Sequence, residues 1–166
     1  MPEPAVDPST VVLSQERTTP NGRLMIHYPA DFAAKTLDDS SLLVVRNDGG
    51  GSEGASFTAV RTPISSDVGE FARVVVAAIE KDILSMGGFA TRGEMESAAC
   101  LGRYSGLEVA NTYRVPIGGH FVSKTCLFIH GGHGYTLRYF ASDSRAALDG
   151  PLLERIVGAT ELLSAP

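Results

Sequence analysis

Hydrophobic and polar positions change period three times along the chain, dividing it into alternating strand and helix blocks. RLMIHYP (23–29) alternates, with Leu24, Ile26 and Tyr28 on one face and Arg23, Met25 and His27 on the other. A period of two predicts a half-buried strand, closed here by Pro29. SLLVVRN (41–47) is a continuous apolar run, ASFTAVRTP (55–63) is rich in β-formers, and glycines 49–51 lie between them, which predicts a hairpin. From Asp67 to Met86 the period lengthens: Phe71, Val74, Val75, Ala78, Ile79, Ile83 and Met86 recur at helical spacing. Ser66 is the expected N-cap and Gly87-Gly88 the stop.

The second half returns to strands. GEMESAACL, YSGLEVANTYRV, HFVSKTCLFIH and YTLRYFA follow one another across short glycine-containing turns. Turns this short permit only antiparallel neighbours, so residues 94–141 predict a four-strand meander. A closing helix is expected from Pro151, a favoured first-turn residue, with Leu152, Leu153, Ile156, Val157, Thr160 and Leu163 on one stripe. Ahead of all this, residues 1–22 form a Pro-rich tail in which VVLSQER adds at most a weak edge strand before the Pro20-Asn21-Gly22 turn. The expected order is β-β-β-α-β-β-β-β-α: a single α+β domain over 23–166, with an antiparallel sheet of about seven strands flanked by helices.

This pattern carries a family resemblance. RLMIHYPADF, a strand followed by Tyr-Pro-x-x-Phe, resembles the N-terminal signature of the PsbP-like superfamily. CLGRYSGLEV resembles that group's Gly-x-x-x-Gly turn, and GYTLRYFASDSRAALDGPLLERIVGAT its terminal strand, loop and closing helix. The resemblance spans residues 22–163. It implies an α/β/α sandwich serving as a largely non-catalytic binding scaffold, in a group that includes photosystem subunits, a Ran-binding import factor, bacterial lipoproteins and chaperones for type VI secretion effectors. It supplies no catalytic residue. The partner it implies is another protein, bound by an adaptor or chaperone-like module, with a secretion-system effector as one such partner.

Charge narrows the partner class. Fourteen basic and nineteen acidic residues give a net −5, and no run of Lys or Arg occurs, which disfavours nucleic acid and anionic membranes. No apolar stretch approaches the ~20 residues of a membrane-spanning helix. The acidic, Pro-rich start MPEPAVDPST lacks the look of a signal peptide, so a cytoplasmic location is expected; export or a lipid anchor is the alternative if a leader has been removed. With no tryptophan, a Trp-centred pocket is excluded.

Candidate chemistry is sparse. FIHGGHGYTLRYF places His130 and His133 across a glycine turn, and a second Gly-Gly-His ends at His120. His120 and His130 bracket one strand, roughly 33 Å apart, and cannot share a metal. His130 and His133 could meet, but no third ligand accompanies them, and His27 stands alone. No metal and no cofactor is expected. Ser52 sits in a Gly-x-Ser-x-Gly match, yet between two strands and not at the strand-to-helix elbow that exposes a hydrolase nucleophile. A small hydrolase-like enzyme using Ser52 or His130/His133 remains the alternative to a binding module. Glu94 and Glu96, and Asp38-Asp39, read as solvated carboxylates; Tyr113, Tyr135 and Tyr139 read as core aromatics with hydroxyls at the rim. Cys100 and Cys126 are expected as free thiols, because an intervening strand in a flat meander holds them about 9.6 Å apart.

Overall fold

The computed structural model describes residues 7–47, 53–62, 67–116 and 119–163, and within them every strand pairing is antiparallel. The 41–47 and 55–63 runs form the expected hairpin, β4 (Ser41–Arg46) and β5 (Gly54–Arg61). The meander is present as β7 (Glu96–Cys100), β8 (Tyr104–Val115), β9 (Gly119–His130) and β10 (His133–Ser142). Two further strands complete the sheet: β3 (Phe32–Asp38) beside β4, and β6 (Phe89–Arg92) beside β8. The order is β3-β4-β5-β10-β9-β8-β6, with β7 also on β8, giving eight strands. The alternating segment forms β2 (Leu24–Tyr28), with Leu24, Ile26 and Tyr28 buried as read. Yet β2 leaves the main sheet, pairing with β1 (Gln15–Thr18) and β11 (Glu161–Leu162) in a separate three-stranded sheet.

Consecutive residues of β9 serve two cores. Phe128 packs with Leu137, Phe57 and the β2 residues under the second helix, α2 (Ala146–Gly158). Leu127 packs with Val109 under the first helix, α1 (Val68–Ser85). Because neighbouring side chains of a strand point to opposite faces, the helices lie on opposite sides of the sheet. The small sheet shares the α2 side. The fold is an α+β sandwich of the class the pattern predicts.

Both helices differ in detail from expectation. Ser66 lies outside the described residues; Asp67 is the N-cap, its side chain accepting from the Glu70 amide. The buried stripe of α1 is narrower than the apolar pattern implied: Phe71, Ala72, Val76 and Ile83 are buried, whereas Val74 and Met86 are exposed. Helix α2 begins five residues before Pro151, so this proline sits in its interior. Asp149 and Gly150, which read as a loop in sequence, are buried in its early turns.

The cysteine expectation is overturned. Cys100 and Cys126 form a disulfide, with Cα atoms 5.9 Å apart. The flat-sheet spacing fails because the β7–β8 hairpin does not lie flat. Leu101 (φ 54°) and Gly102 (φ 74°) make its turn, and the tip folds over the α2 face of the sheet. Gly106 permits that approach: a Cβ there would lie 2.2 Å from the Leu127 carbonyl oxygen. Cys100 thereby reaches the core beside Phe128 and bonds across β8. Alkylation of unfolded, unreduced protein is expected to label neither cysteine. A Cys100→Ala/Cys126→Ala variant is expected to lose about 2–4 kcal/mol of stability in urea unfolding. Labelling of both thiols, or an unchanged midpoint, would contradict this pairing.

Candidate functional site

Helix α2 covers only part of its side of the sheet. It lies on β10, β5 and β2, leaving the end formed by β6, β8 and β9 open. Strand register fixes what that end displays. Phe89, Arg114 and His120 are lateral neighbours across β6, β8 and β9, and Thr91, Thr112 and Val122 form the next row. Together with Asp143 they line a cleft of about 540 Å³. Phe89 is 73% exposed, far more than a phenylalanine placed for packing alone. The Asp143 amide donates to the His120 carbonyl (2.9 Å), which fixes the wall to the floor. Among the described residues neither Arg114 nor Asp143 has an ion-pair partner. No sequence motif marks this cleft. The only signal was the alternation of β8, whose second face carries Thr112 and Arg114.

The opposite face at this end is closed by its own side chains. Tyr113 stacks on Phe121 (5.2 Å), and the Arg138 guanidinium lies between Tyr113 (5.7 Å) and Phe140 (5.6 Å). Burial draws the Arg138 pKa below its ordinary value, and the two ring faces supply the compensating cation–π attraction. Arg138 therefore stiffens the floor beneath the cleft.

A second polar cluster joins the base of the loop between β4 and β5 to α2. Arg46 donates to Glu53 (3.1 Å), Asp149 (3.1 Å) and Asp31 (3.1 Å), while Arg145 reaches Glu53 (3.0 Å) and Asp149 (2.9 Å). Glu53 is only 2% exposed. Burial, followed by the adjacent Asp149 carboxyl, raises its pKa against the pull of the two guanidiniums. Two arginines and two enclosed carboxylates balance in charge, so the cluster acts as a latch between hairpin and helix.

The residues singled out from sequence are dispersed. His130 and His133 are register partners across the turn, with His130 edge-on to Tyr104 (5.1 Å) and His133 Nδ1 beside the Gly131 carbonyl (3.4 Å). His120 is at the other end of β9, as the spacing required. His27 is not alone: it bonds Glu161 across to β11 (2.7 Å) and lies 3.9 Å from Glu16 on β1. Ser52 lies outside the described residues. Glu94 and Glu96 are exposed, and Asp38 accepts from Ser40 in the β3–β4 turn, which lowers its pKa. Tyr135 is buried against Phe128 (4.9 Å). Tyr139 donates to Glu154 (3.2 Å), and burial together with that carboxylate pushes its pKa up to about 12. Among the described residues no group of three or more His, Cys, Asp or Glu converges on a point that could hold a metal.

Comparison with solved structures defines the class: the fold is PsbP-like. The chain is similar to cyanobacterial PsbP (CyanoP) from Synechocystis sp. PCC 6803, with a TM-score of 0.61 and 14% identity over 98% of this chain and 100% of that one. It is similar to LpqN of Mycobacterium tuberculosis, involved in cell envelope biogenesis, with a TM-score of 0.51 and 16% identity over 85% and 83% of the two chains. A protein of Bacteroides thetaiotaomicron VPI-5482 shares the fold at a TM-score of 0.59 and 10% identity over 92% of this chain and half of that one. No protein-family model and no curated protein matches the sequence. The antiparallel α+β fold expected from the sequence is therefore the fold found, with eight strands in the main sheet and three in a second where one sheet of about seven was expected, and the likeness extends to fold alone.

Proposed function

We propose that this chain is a non-enzymatic binding module that docks a protein partner on the open end of its sheet. The observation carrying the proposal is the uncovered β6–β8–β9 face, where an exposed Phe89 stands beside Arg114, His120 and two threonines. An apolar anchor ringed by hydrogen-bonding groups is the make-up of a protein contact. The likeness to cyanobacterial PsbP and to LpqN supports a scaffold over a catalyst. The enzyme alternative draws little from the geometry: the contacts of His130 and His133 are a tyrosine ring and a main-chain carbonyl, with neither a nucleophile nor an orienting carboxylate among them. We also assign the chain to an oxidising compartment, because a disulfide persists there and is reduced in the cytosol. This favours export over the cytoplasmic location expected from the first residues. Among the described residues no helix is long and apolar enough to cross a membrane.

A photo-crosslinking residue placed at position 89 in the native host tests the docking face. It is expected to trap a discrete protein adduct that the same residue at position 37, on the far edge of the sheet, does not form. Equal trapping at both positions, or none at 89, would overturn the assignment.

A further inference from the structure

Strand β6 is an edge, and its hydrogen-bonding pattern leaves it half unused. The Gly93 amide donates to the Ala110 carbonyl (2.8 Å), and the register runs Arg92 to Asn111, Thr91 to Thr112, Ala90 to Tyr113 and Phe89 to Arg114. In an antiparallel pair the bonded residues alternate. Gly93, Thr91 and Phe89 therefore bond β8, while the amides and carbonyls of Ala90 and Arg92 point away from the sheet. An extended chain laid along this edge would find main-chain partners at those two residues. Its side chains on the α2 side would fall over the cleft, next to Phe89 and within reach of Arg114.

The charges of the cleft select among extended chains. In a protein of net charge −5, the cleft beside this edge holds Arg114 of β8, which has no ion-pair partner among the described residues, and His120 is its neighbour in the same row. Arg92, on the other face of β6, is already held by Glu80 (2.6 Å). Among the described residues Asp143 is the one acid lining the cleft, and it lies on the far wall, across His120 from β6. A carboxylate lying over β6 and β8 meets Arg114 first; a lysine in that position meets it as repulsion. Deepening the docking reading above, we propose that the edge of β6 accepts an extended, acidic segment of a partner protein, adding it as a further strand whose carboxylate pairs with Arg114 and whose apolar residue covers Phe89.

The probe is a phage-displayed library of random nine-residue peptides selected on the intact, oxidised protein. Enriched peptides are expected to combine β-forming residues with Asp or Glu and to lack a proline at their centre. Their affinity is expected to fall at least tenfold in Arg114→Gln, and as much in Ala90→Pro, which deletes an outward-facing amide while leaving the bonds to β8. Lys81→Gln on α1 is expected to leave it unchanged, and backbone NMR of each variant checks that the fold is kept. Enriched peptides lacking acidic residues, or binding that survives both substitutions, would overturn the β6 site while leaving a binding module in place at another face. Failure to enrich any peptide would count against both.

Discussion

Replacing Arg46 with alanine is expected to cost about 3–5 kcal/mol of folding stability at neutral pH, the loss typical when one member of a buried ion pair is removed. Arg46 is 16% exposed at its side chain and contacts three carboxylates, two of them enclosed. Without it, Glu53 and Asp149 face each other with only the half-exposed Arg145 between them. The pH dependence has a definite sign. Burial and Asp149 already raise the Glu53 pKa, and removing a neighbouring cation raises it further. A carboxyl whose folded pKa is raised contributes stability that is full below its unfolded value and lost as the pH climbs through its folded value. The deficit of Arg46→Ala should therefore shrink on acidification through that window and be largest at neutral pH. Urea unfolding across a pH series measures it; a deficit below about 1 kcal/mol, or one that grows toward acid, would show that solvent and not Arg46 holds these carboxylates.

Phe71→Ala should cost a similar amount, about 3–5 kcal/mol, because an aromatic ring leaves a cavity when removed from a closed layer. Phe71 is 8% exposed and packs with Ala72, Val76, Val109 and Leu127. Its ring lies against Gly134, where an added Cβ would come within 2.6 Å of two ring carbons. The two positions are thus one contact. Gly134→Ala should also destabilise, by overpacking, and the double variant Gly134→Ala/Phe71→Leu should lose less than the sum of the single changes. Val74→Ala, one turn on but 64% exposed, should shift stability by no more than about 0.5 kcal/mol. Strict additivity of the pair, or an equal effect at Val74, would mean that α1 packs by a different face.

How much of this was legible in the sequence depended on whether a segment's burial shows in its own residues. Strand β2 was plain, because alternate burial wrote alternate hydrophobicity. The meander was plain, because its turns are too short for anything but antiparallel return. Strands β3 and β6 left little trace: as sheet edges they are mostly exposed, and they are strands by virtue of main-chain bonds to β4 and β8. The apolar pattern of α1 was too generous, since Val74 and Met86 match its period without touching the core. The cleft was invisible for a related reason. Phe89, Arg114 and His120 are 25 and 6 residues apart in turn, and only the pairing of three strands sets them in a row. The disulfide was misread because strand order was taken as distance, although curvature at a glycine brings next-but-one strands into contact.

That disulfide also decides how the chain carries tension. Cys100 and Cys126 enclose the whole of β8, so a pull on the two ends of the protein passes from one sulfur to the other and bypasses the strand between. The segment between the cysteines, a sequence separation of 26 and about 90 Å of extended chain, stays slack while the bond holds. The small sheet takes the load first, because β1 and β11, the first and last strands among the described residues, flank β2. The meander, by contrast, keeps β8 out of the force path while the bond holds.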